Sequence, residues 1–408
     1  MDHLLRDNST LELYAWLDDD AELPGWDVLV GNPFGESLPE DRITTVQNYF
    51  AEYHLEYFRQ RLYQHFPSRL HAVLLFATRV DAETFRAKQQ IAEQKSCVDF
   101  ALWGGLTPDS LDHLEAMAAE GAIGFKAFMC PSGLDEFACA ETATLKAGMK
   151  RAAALGLPVA VHAELNPKTR PAGHDMAAWL SSRPVQLELD AIAIALELAG
   201  ETGCALHVVH VSCPEGIDLI SAAKKKGVNV TAETCPHYLL LNDTVAIQIG
   251  APAKCAPPLR DSATLEGLRQ KLRDGEIDTL GSDHSPASPD LKQGDDFFAI
   301  WGGIAGIQHG LPLLIDQGLA LAPQLSANVA QRFRLAGKGG LAVGCDADFC
   351  LVKNEPYRIE AAELLTRHPI SPYAGLMLQH RIAATYLRGE RITSSTRGRF
   401  LRPMPLSS

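Results

Sequence analysis

The stretch 121-GAIGFKAFMC-130 is a short apolar run between glycine and Pro131, and this pattern predicts a buried β-strand. Five similar runs are 98-VDFALWG-104, 158-PVAVHAE-164, 205-ALHVVHVS-212, 228-VNVTAET-234 and 278-DTLGSDH-284. Amphipathic stretches between them are 108-PDSLDHLEAMAAEG-121, 184-PVQLELDAIAIALELAGETG-203 and 213-CPEGIDLISAAKKKG-227. Strand and helix alternating at this spacing are typical of parallel βα units. Since no G-x-G-x-x-G follows any of these strands, the pattern favours an α/β fold of the (β/α)8 TIM-type barrel over a dinucleotide-binding fold.

The sequence predicts three parts. Residues 81–337 form the barrel, and residues 338–408 form a small C-terminal β-sandwich-like module. The short strands of this module are predicted from 344-GCDADFCLVKN-354 and 381-RIAATYLRGERI-392. Residues 1–80 are an atypical N-terminal segment that fits neither pattern.

Composition excludes several classes of protein. The net charge of −13 over 408 residues leaves no basic surface for nucleic acid. No apolar run approaches the roughly 18 residues of a membrane span. Nine cysteines without a C-x-x-C pair, and no secretory signal, favour reduced thiols in the cytoplasm. We therefore expect a soluble cytoplasmic protein that acts on a small molecule.

Lys126 is the unusual residue of the opening stretch, because no acidic residue lies within four positions of it. One interpretation is a lysine at a strand end whose stem lies on apolar surface and whose ammonium group reaches water. The other is a buried lysine with an altered charge, of the kind that takes part in chemistry.

Three further strand ends carry polar side chains. Lys126, His162, His210 and Asp283 follow one another at separations of 36, 48 and 73 residues. In a (β/α)8 barrel the C-terminal strand ends converge on one face, so these side chains are predicted to share a site. Two histidines and a carboxylate suit zinc or a similar divalent metal. The alternative for each histidine is a hydrogen-bonded core residue, and alternation along the strand predicts that His207 and His210 face opposite sides.

These motifs resemble the cyclic amidohydrolases of the amidohydrolase superfamily, and most closely the allantoinase family. The segments that carry the resemblance are 95-KSCVDFALWGGL-106, 123-IGFKAFMCPSG-133, 159-VAVHAE-164, 206-LHVVHVS-212, 232-AETCPHYLLL-241, 254-KCAPPLR-260 and 281-GSDHSP-286. The loop 295-DDFFAIWGGIAGIQ-308 is the most allantoinase-like element. The resemblance covers the chain from about residue 80 onward.

The resemblance implies a two-zinc hydrolase. Lys126 would be N6-carboxylated by CO2, and the carbamate would bridge the two Zn2+ ions. His162 and His210 would bind the second metal, and Asp283 would bind the first and act as the general base. A hydroxide between the metals would open the hydantoin ring of allantoin to give allantoate, in purine catabolism.

The resemblance also implies substrate contacts and an assembly. Backbone groups at Cys255, Ala256, Trp301 and Gly303 are the candidates for binding the hydantoin ring. His237 fits either a place in the pocket or a structural role. Members of the family form homotetramers, so a homo-oligomer is expected.

One motif of the family is missing. Its first barrel strand ends in H-x-H, which supplies two ligands to the buried metal, and this chain has no H-x-H. Three alternatives stay open on the sequence: an allantoinase, a related hydantoinase or dihydroorotase, and a catalytically impaired homologue that serves as a binding subunit.

Overall fold

The computed structural model describes residues 80–134, 137–319 and 322–405, all of which belong to one compact unit. The predicted N-terminal segment therefore lies outside the described residues, except for Val80. The predicted division into three parts stays a prediction.

Six parallel strands form the main sheet, and hydrogen-bonded neighbours follow the order of the chain. The strands are β1 Gly104–Gly105, β2 Phe125–Phe128, β3 Val159–His162, β4 Leu206–Val208, β5 Val230–Thr234 and β6 Thr279–Leu280. Every residue of β3 is buried, as expected for a parallel strand covered on both faces. The predicted α/β class is confirmed, and each predicted apolar run contains or meets one strand.

Helices connect the strands. They are α1 Ala82–Lys95, α2 Leu114–Glu120, α3 Thr142–Ala154, α4 Met176–Ser182, α5 Val185–Thr202, α6 Pro214–Lys225, α7 Pro236–Leu240, α8 Asp243–Ile249, α9 Ser262–Arg273, α10 Gly310–Asp316 and α11 Asn328–Arg332. The long helix α5 buries Ala191, Ile192 and Ala195, spaced as one helical face, and ends at Gly203 in the left-handed conformation. No helix in the described ranges is long and apolar enough to cross a membrane.

The strand register decides which side chains share a face of the sheet. Lys126 pairs with Ala160, Ala160 with His207, and His207 with Thr231. Residues at paired positions of parallel strands point the same way, so these four side chains lie on one face. Ala160 on this face packs in a small apolar cluster with Trp103 and Phe333. The site described below lies beyond that cluster, toward the C-terminal strand ends.

A second sheet follows the barrel strands. It is antiparallel and consists of β7 Phe349–Arg358, β8 Met377–Leu387 and β9 Glu390–Arg391. Its strands overlap both stretches that were predicted to form the small β module, and that prediction is confirmed.

The C-terminal residues return to the start of the barrel. Gly398 donates a backbone hydrogen bond of 2.6 Å to Ser96, and a Cβ at this position would lie 1.7 Å from the carbonyl oxygen of Val98. Only glycine permits this approach. The buried Asp99 carboxylate accepts from both Lys338 and Arg388, which ties the later residues to the start of the barrel.

Candidate active site

Lys126, in the middle of β2, is buried with 4% of its surface exposed. The interpretation that its ammonium group reaches water is therefore wrong. Its Nζ has no hydrogen-bond partner among the described residues and lies 4.5 Å from the centroid of the Phe128 ring. Burial lowers the pKa of Lys126 to about 7, although the negative charges of Asp283 and Glu233 act in the opposite direction. An amine in this position is poorly accommodated as a cation.

His162 and His210 lie together at the ends of β3 and β4. Nδ1 of His162 is 3.0 Å from Nε2 of His210, and both side chains are buried. Burial, with the neighbouring charge of His162, holds the pKa of His210 well below its usual value. The pKa of His162 is lowered by burial, but Cys130 and Glu164 outweigh this effect and raise it to about 9. Nδ1 of His210 has no hydrogen-bond partner among the described residues.

The prediction that His207 and His210 face opposite sides is wrong. His207 shares the interior face with Lys126 and hydrogen-bonds Thr231 at 2.8 Å. His210 lies beyond the end of β4 and has a left-handed backbone, with φ of 44°, so strand alternation no longer applies to it. Both imidazoles thus lie on the same side of the sheet, and His210 alone contacts His162.

Asp283 follows β6 and is half-buried, with φ of 41°. Burial raises the pKa of its carboxyl, and the positive charges of Lys126 and His162 lower it in part. The four residues predicted to share a site are thus brought together. Two of them, His210 and Asp283, hold backbone conformations that non-glycine residues rarely adopt, and such strain is concentrated at functional sites.

Sequence reasoning missed several residues that surround this group. Glu164 is fully buried and its Oε2 lies 3.3 Å from Nε2 of His162. Cys130 is also buried, and its thiol hydrogen-bonds His162. Ligand atoms of Cys130, His162 and Glu164 lie within 4.8 Å of one another, so this group could hold a cation. The sequence does contain a signal for Glu164, because a residue two positions after His162 on an extended segment points to the same side.

Arg183 and Glu233 complete the charges of the site. Arg183 forms an ion pair with Glu164 and packs over the Trp179 ring at 4.6 Å. Glu233, on β5, lies 3.4 Å from Nε2 of His207 and faces the position of Gly281, where a Cβ would meet its carboxylate at 2.5 Å. The sequence offered no comparable signal for Arg183, which lies in a loop 19 residues from its partner.

The predicted substrate-contact residues lie in two neighbouring segments. Cys255 is buried, and the charge of Asp283 contributes, after burial, to raising its pKa to about 12. Ala256 follows it and is half-buried. The backbone N–H of Gly303 donates to the carbonyl of Lys254 at 2.7 Å, and that of Trp301 donates to Leu291. The hydrogen bond of Gly303 joins the two segments, and the N–H groups of Trp301 and Gly303 both already donate to carbonyl groups.

Two buried lysines fix this turn. Nζ of Lys254 donates to the carbonyl of Ile300 and lies 4.0 Å from the Trp179 ring centroid. Nζ of Lys292 donates to the carbonyls of Gly303 at 2.7 Å and Ala251 at 3.2 Å. The turn is held by side chains that reach it from both neighbouring segments.

His237 at the start of α7 is buried, and neither ring nitrogen has a hydrogen-bond partner among the described residues. Burial lowers its pKa to about 3, so the ring is neutral. It packs against the Tyr238 ring at 4.2 Å between centroids. The place of His237 in the pocket and its structural role both stay predictions.

Comparison with known proteins places this arrangement in a family. A search of family models found no match. The chain is 46% identical to "Allantoinase" of Rubrobacter xylanophilus over 346 residues, which cover 79% of this chain and 76% of that protein. It is 47% identical to "Allantoinase" of Deinococcus radiodurans, with coverage of 79% and 77%.

Solved structures of related enzymes share the fold. "L-Hydantoinase (Dihydropyrimidinase) from Arthrobacter aurescens" matches with a TM-score of 0.76 and 32% identity, over 79% of this chain and 77% of that one. Dihydropyrimidinase from Brevibacillus agri matches with a TM-score of 0.73 and 26% identity, over 80% and 78%. The predicted barrel class and the predicted resemblance are both confirmed. This chain belongs to the allantoinase family of metal-dependent cyclic amidohydrolases.

Proposed function

We propose that this chain hydrolyses allantoin to allantoate by opening the hydantoin ring at an amide bond. Membership of the allantoinase family supports the substrate. The observation that carries the proposal is the convergence of Lys126, His162, His210 and Asp283 on one site at the strand ends. Buried groups with perturbed pKa values in such a position are typical of active sites.

The donor atoms of the site fit a divalent metal, for which we propose zinc. Nδ1 of His162 and Nε2 of His210 lie 3.0 Å apart, near enough for both nitrogens to bind one cation. Nζ of Lys126 is buried without a hydrogen bond among the described residues. Lys126, His162, His210 and Asp283 would hold the metal, and we propose two Zn2+ ions per chain. When bound, zinc supplies a Lewis acid that polarises a carbonyl and acidifies water.

We propose that Lys126 is N6-carboxylated. Its neutral amine would form a bond to the carbon of CO2 and lose one proton, which leaves an anionic carbamate. The change would replace a buried cation that has no hydrogen-bond acceptor by an anion suited to a metal. Phe128, which lies against Nζ, would keep bulk water from the group.

Asp283 is the proposed general base. It is half-buried at a strand end, beside Lys126, and so reaches both the site and the substrate. It would accept the proton of the attacking water and deliver it to the ring nitrogen that leaves. Its raised pKa favours the first of these transfers, because a carboxylate with a higher pKa is a stronger base.

We propose that Cys255, Ala256, Trp301 and Gly303 contact the substrate through their backbones. The N–H groups of Trp301 and Gly303 already donate to Leu291 and Lys254. The 301–303 turn would therefore use carbonyl oxygens, which accept from the N–H groups of the hydantoin ring. The two buried lysines would keep the turn in place. We further propose that the enzyme is a cytoplasmic homotetramer, as the resemblance implies.

A second candidate function is hydrolysis of simple hydantoins, which the match to the Arthrobacter hydantoinase favours. The third is a binding subunit without turnover, which the missing H-x-H motif favours. Residues 1–79 lie outside the described residues.

A substrate panel with metal analysis separates the three. The full chain would be purified with zinc and bicarbonate, then assayed with allantoin, hydantoin and dihydroorotate. Allantoin turnover at the highest kcat/KM, with about two zinc ions per chain as in a binuclear site, supports the proposal. Preference for hydantoin identifies a hydantoinase. No turnover with bound ring substrate identifies a binding subunit. Lys126→Met is the inactive control, and Lys292→Met is the matched buried-lysine control for zinc content.

A further inference from the structure

The two ring nitrogens of His162 have different partners. Nδ1 faces His210, at 3.0 Å from its Nε2, whereas Nε2 faces Oε2 of Glu164 at 3.3 Å. The Cys130 thiol also hydrogen-bonds the ring. An ionised carboxylate only accepts hydrogen bonds, so the nitrogen that faces Glu164 must carry a proton. The other nitrogen, Nδ1, would then present its lone pair to a metal on the side of the ring that faces His210.

Glu164 is itself held in place. It is fully buried, and the Arg183 guanidinium forms an ion pair with the same oxygen, Oε2, that faces His162. Arg183 is fixed in turn, because it packs over the Trp179 ring and its carbonyl accepts from the Arg260 guanidinium. The carboxylate therefore cannot turn away from the imidazole without leaving a half-buried arginine unpaired.

We infer that Glu164 is a positioning residue that orients His162 so that Nδ1, and not Nε2, binds the metal. The inference rests on the proposed metal site. Histidine ligands commonly donate their second N–H to a carboxylate, which fixes the ring and increases its basicity. Here the motif 162-HAE-164 supplies the ligand and its orienting carboxylate from adjacent positions on one face of an extended segment.

The test compares four proteins: the wild type, Glu164→Gln, Glu164→Ala and Glu188→Gln. Glu188 is the matched control, because it is a buried glutamate that pairs with Arg260 at 2.9 Å and does not touch His162. Zinc affinity would be measured on the metal-stripped full chains by chelator competition, with thermal stability as a parallel readout. The metal-free crystal structures of the wild type and Glu164→Ala would give the orientation of the His162 ring.

Glu164→Ala is expected to bind zinc about 10–100-fold more weakly, which is the usual loss when the hydrogen-bond partner of a metal ligand is removed. Glu164→Gln should lose less zinc affinity, because its amide oxygen still accepts a hydrogen bond. Glu188→Gln should lose stability and keep its zinc affinity. The inference would be overturned if Glu164→Ala bound zinc as tightly as the wild type while losing as much stability as Glu188→Gln. If the wild type binds no zinc, the proposed function fails, and the ring decides: a His162 turned away in Glu164→Ala supports the positioning role, and an unchanged ring overturns it.

Discussion

Lys126 and the pair Lys254 and Lys292 are buried lysines of the same barrel with opposite surroundings. Lys254 and Lys292 donate to backbone carbonyls of the 300–303 turn and of Ala251, and their burial lowers each pKa to about 8. Lys126 has no hydrogen-bond partner among the described residues, and its pKa falls to about 7. The surrounding protein therefore provides hydrogen-bond acceptors for Lys254 and Lys292, but none among the described residues for Lys126.

The difference separates a structural lysine from a chemical one. A buried ammonium group is tolerated where carbonyl oxygens accept its protons, and it is costly where none do. Lys126 lies near Asp283 and His210 instead, so its surroundings suit an anionic, metal-binding form of the side chain. Burial alone does not identify a functional lysine; the missing acceptor does.

The largest expected effect follows replacement of Lys126. Lys126→Met should lower allantoin turnover by more than the 10–100-fold that outer partners of metals typically contribute, because it removes a ligand of the site itself. Zinc content should fall with it, whereas Lys292→Met should retain zinc. Steady-state kinetics and elemental analysis on the same samples measure both. Full turnover in Lys126→Met would break the distinction between the two kinds of lysine.

Replacing Lys254 or Lys292 should lower the stability of the protein, whereas replacing Lys126 should not. Lys254→Met and Lys292→Met each leave buried carbonyls without a donor, which typically costs about 1–3 kcal/mol. Lys126→Met removes an ammonium group without an acceptor and should leave the metal-free protein equally stable or more stable. Denaturant unfolding of the three metal-stripped variants gives the free energies. A loss in Lys126→Met equal to the other two would mean that its amine is satisfied in solution.

How much of this arrangement was readable from the sequence depends on the kind of contact. The strands and the four site residues were predicted, because apolar runs and polar strand ends repeat at regular spacing. The side of the sheet on which His210 lies was not predicted, because its left-handed backbone interrupts the strand alternation directly after Val209. Arg183 and Lys292 were also missed, since they lie in a loop and in a short 3-10 helix, and each meets a partner that only the folded chain brings near. Regular patterns predict elements, whereas loop contacts depend on the tertiary fold.

A smaller effect concerns His237, which also lacks hydrogen-bond partners among the described residues but carries no charge. Its pKa is about 3 in the folded chain, against about 6.5 when unfolded, so the unfolded state binds the proton first. Its contribution to stability is complete above the unfolded pKa and is lost as the pH falls toward the folded one. Between about pH 7 and pH 6 the loss should be under about 1 kcal/mol.

Unfolding of wild type and His237→Leu at both pH values measures this difference. The variant should lose less stability on acidification than the wild type. Identical losses in wild type and His237→Leu would show that His237 titrates in the folded protein as it does in the unfolded one.

The most direct test of the central claim is ¹³C NMR of the full chain, purified with zinc and supplied with ¹³C-bicarbonate. We expect one carbamate resonance in the wild type and in Lys292→Met and none in Lys126→Met, with allantoin turnover in the wild type and none in Lys126→Met. Turnover by a wild-type sample that shows no carbamate resonance would contradict the central claim, because Lys126 would then serve the site as an unmodified amine.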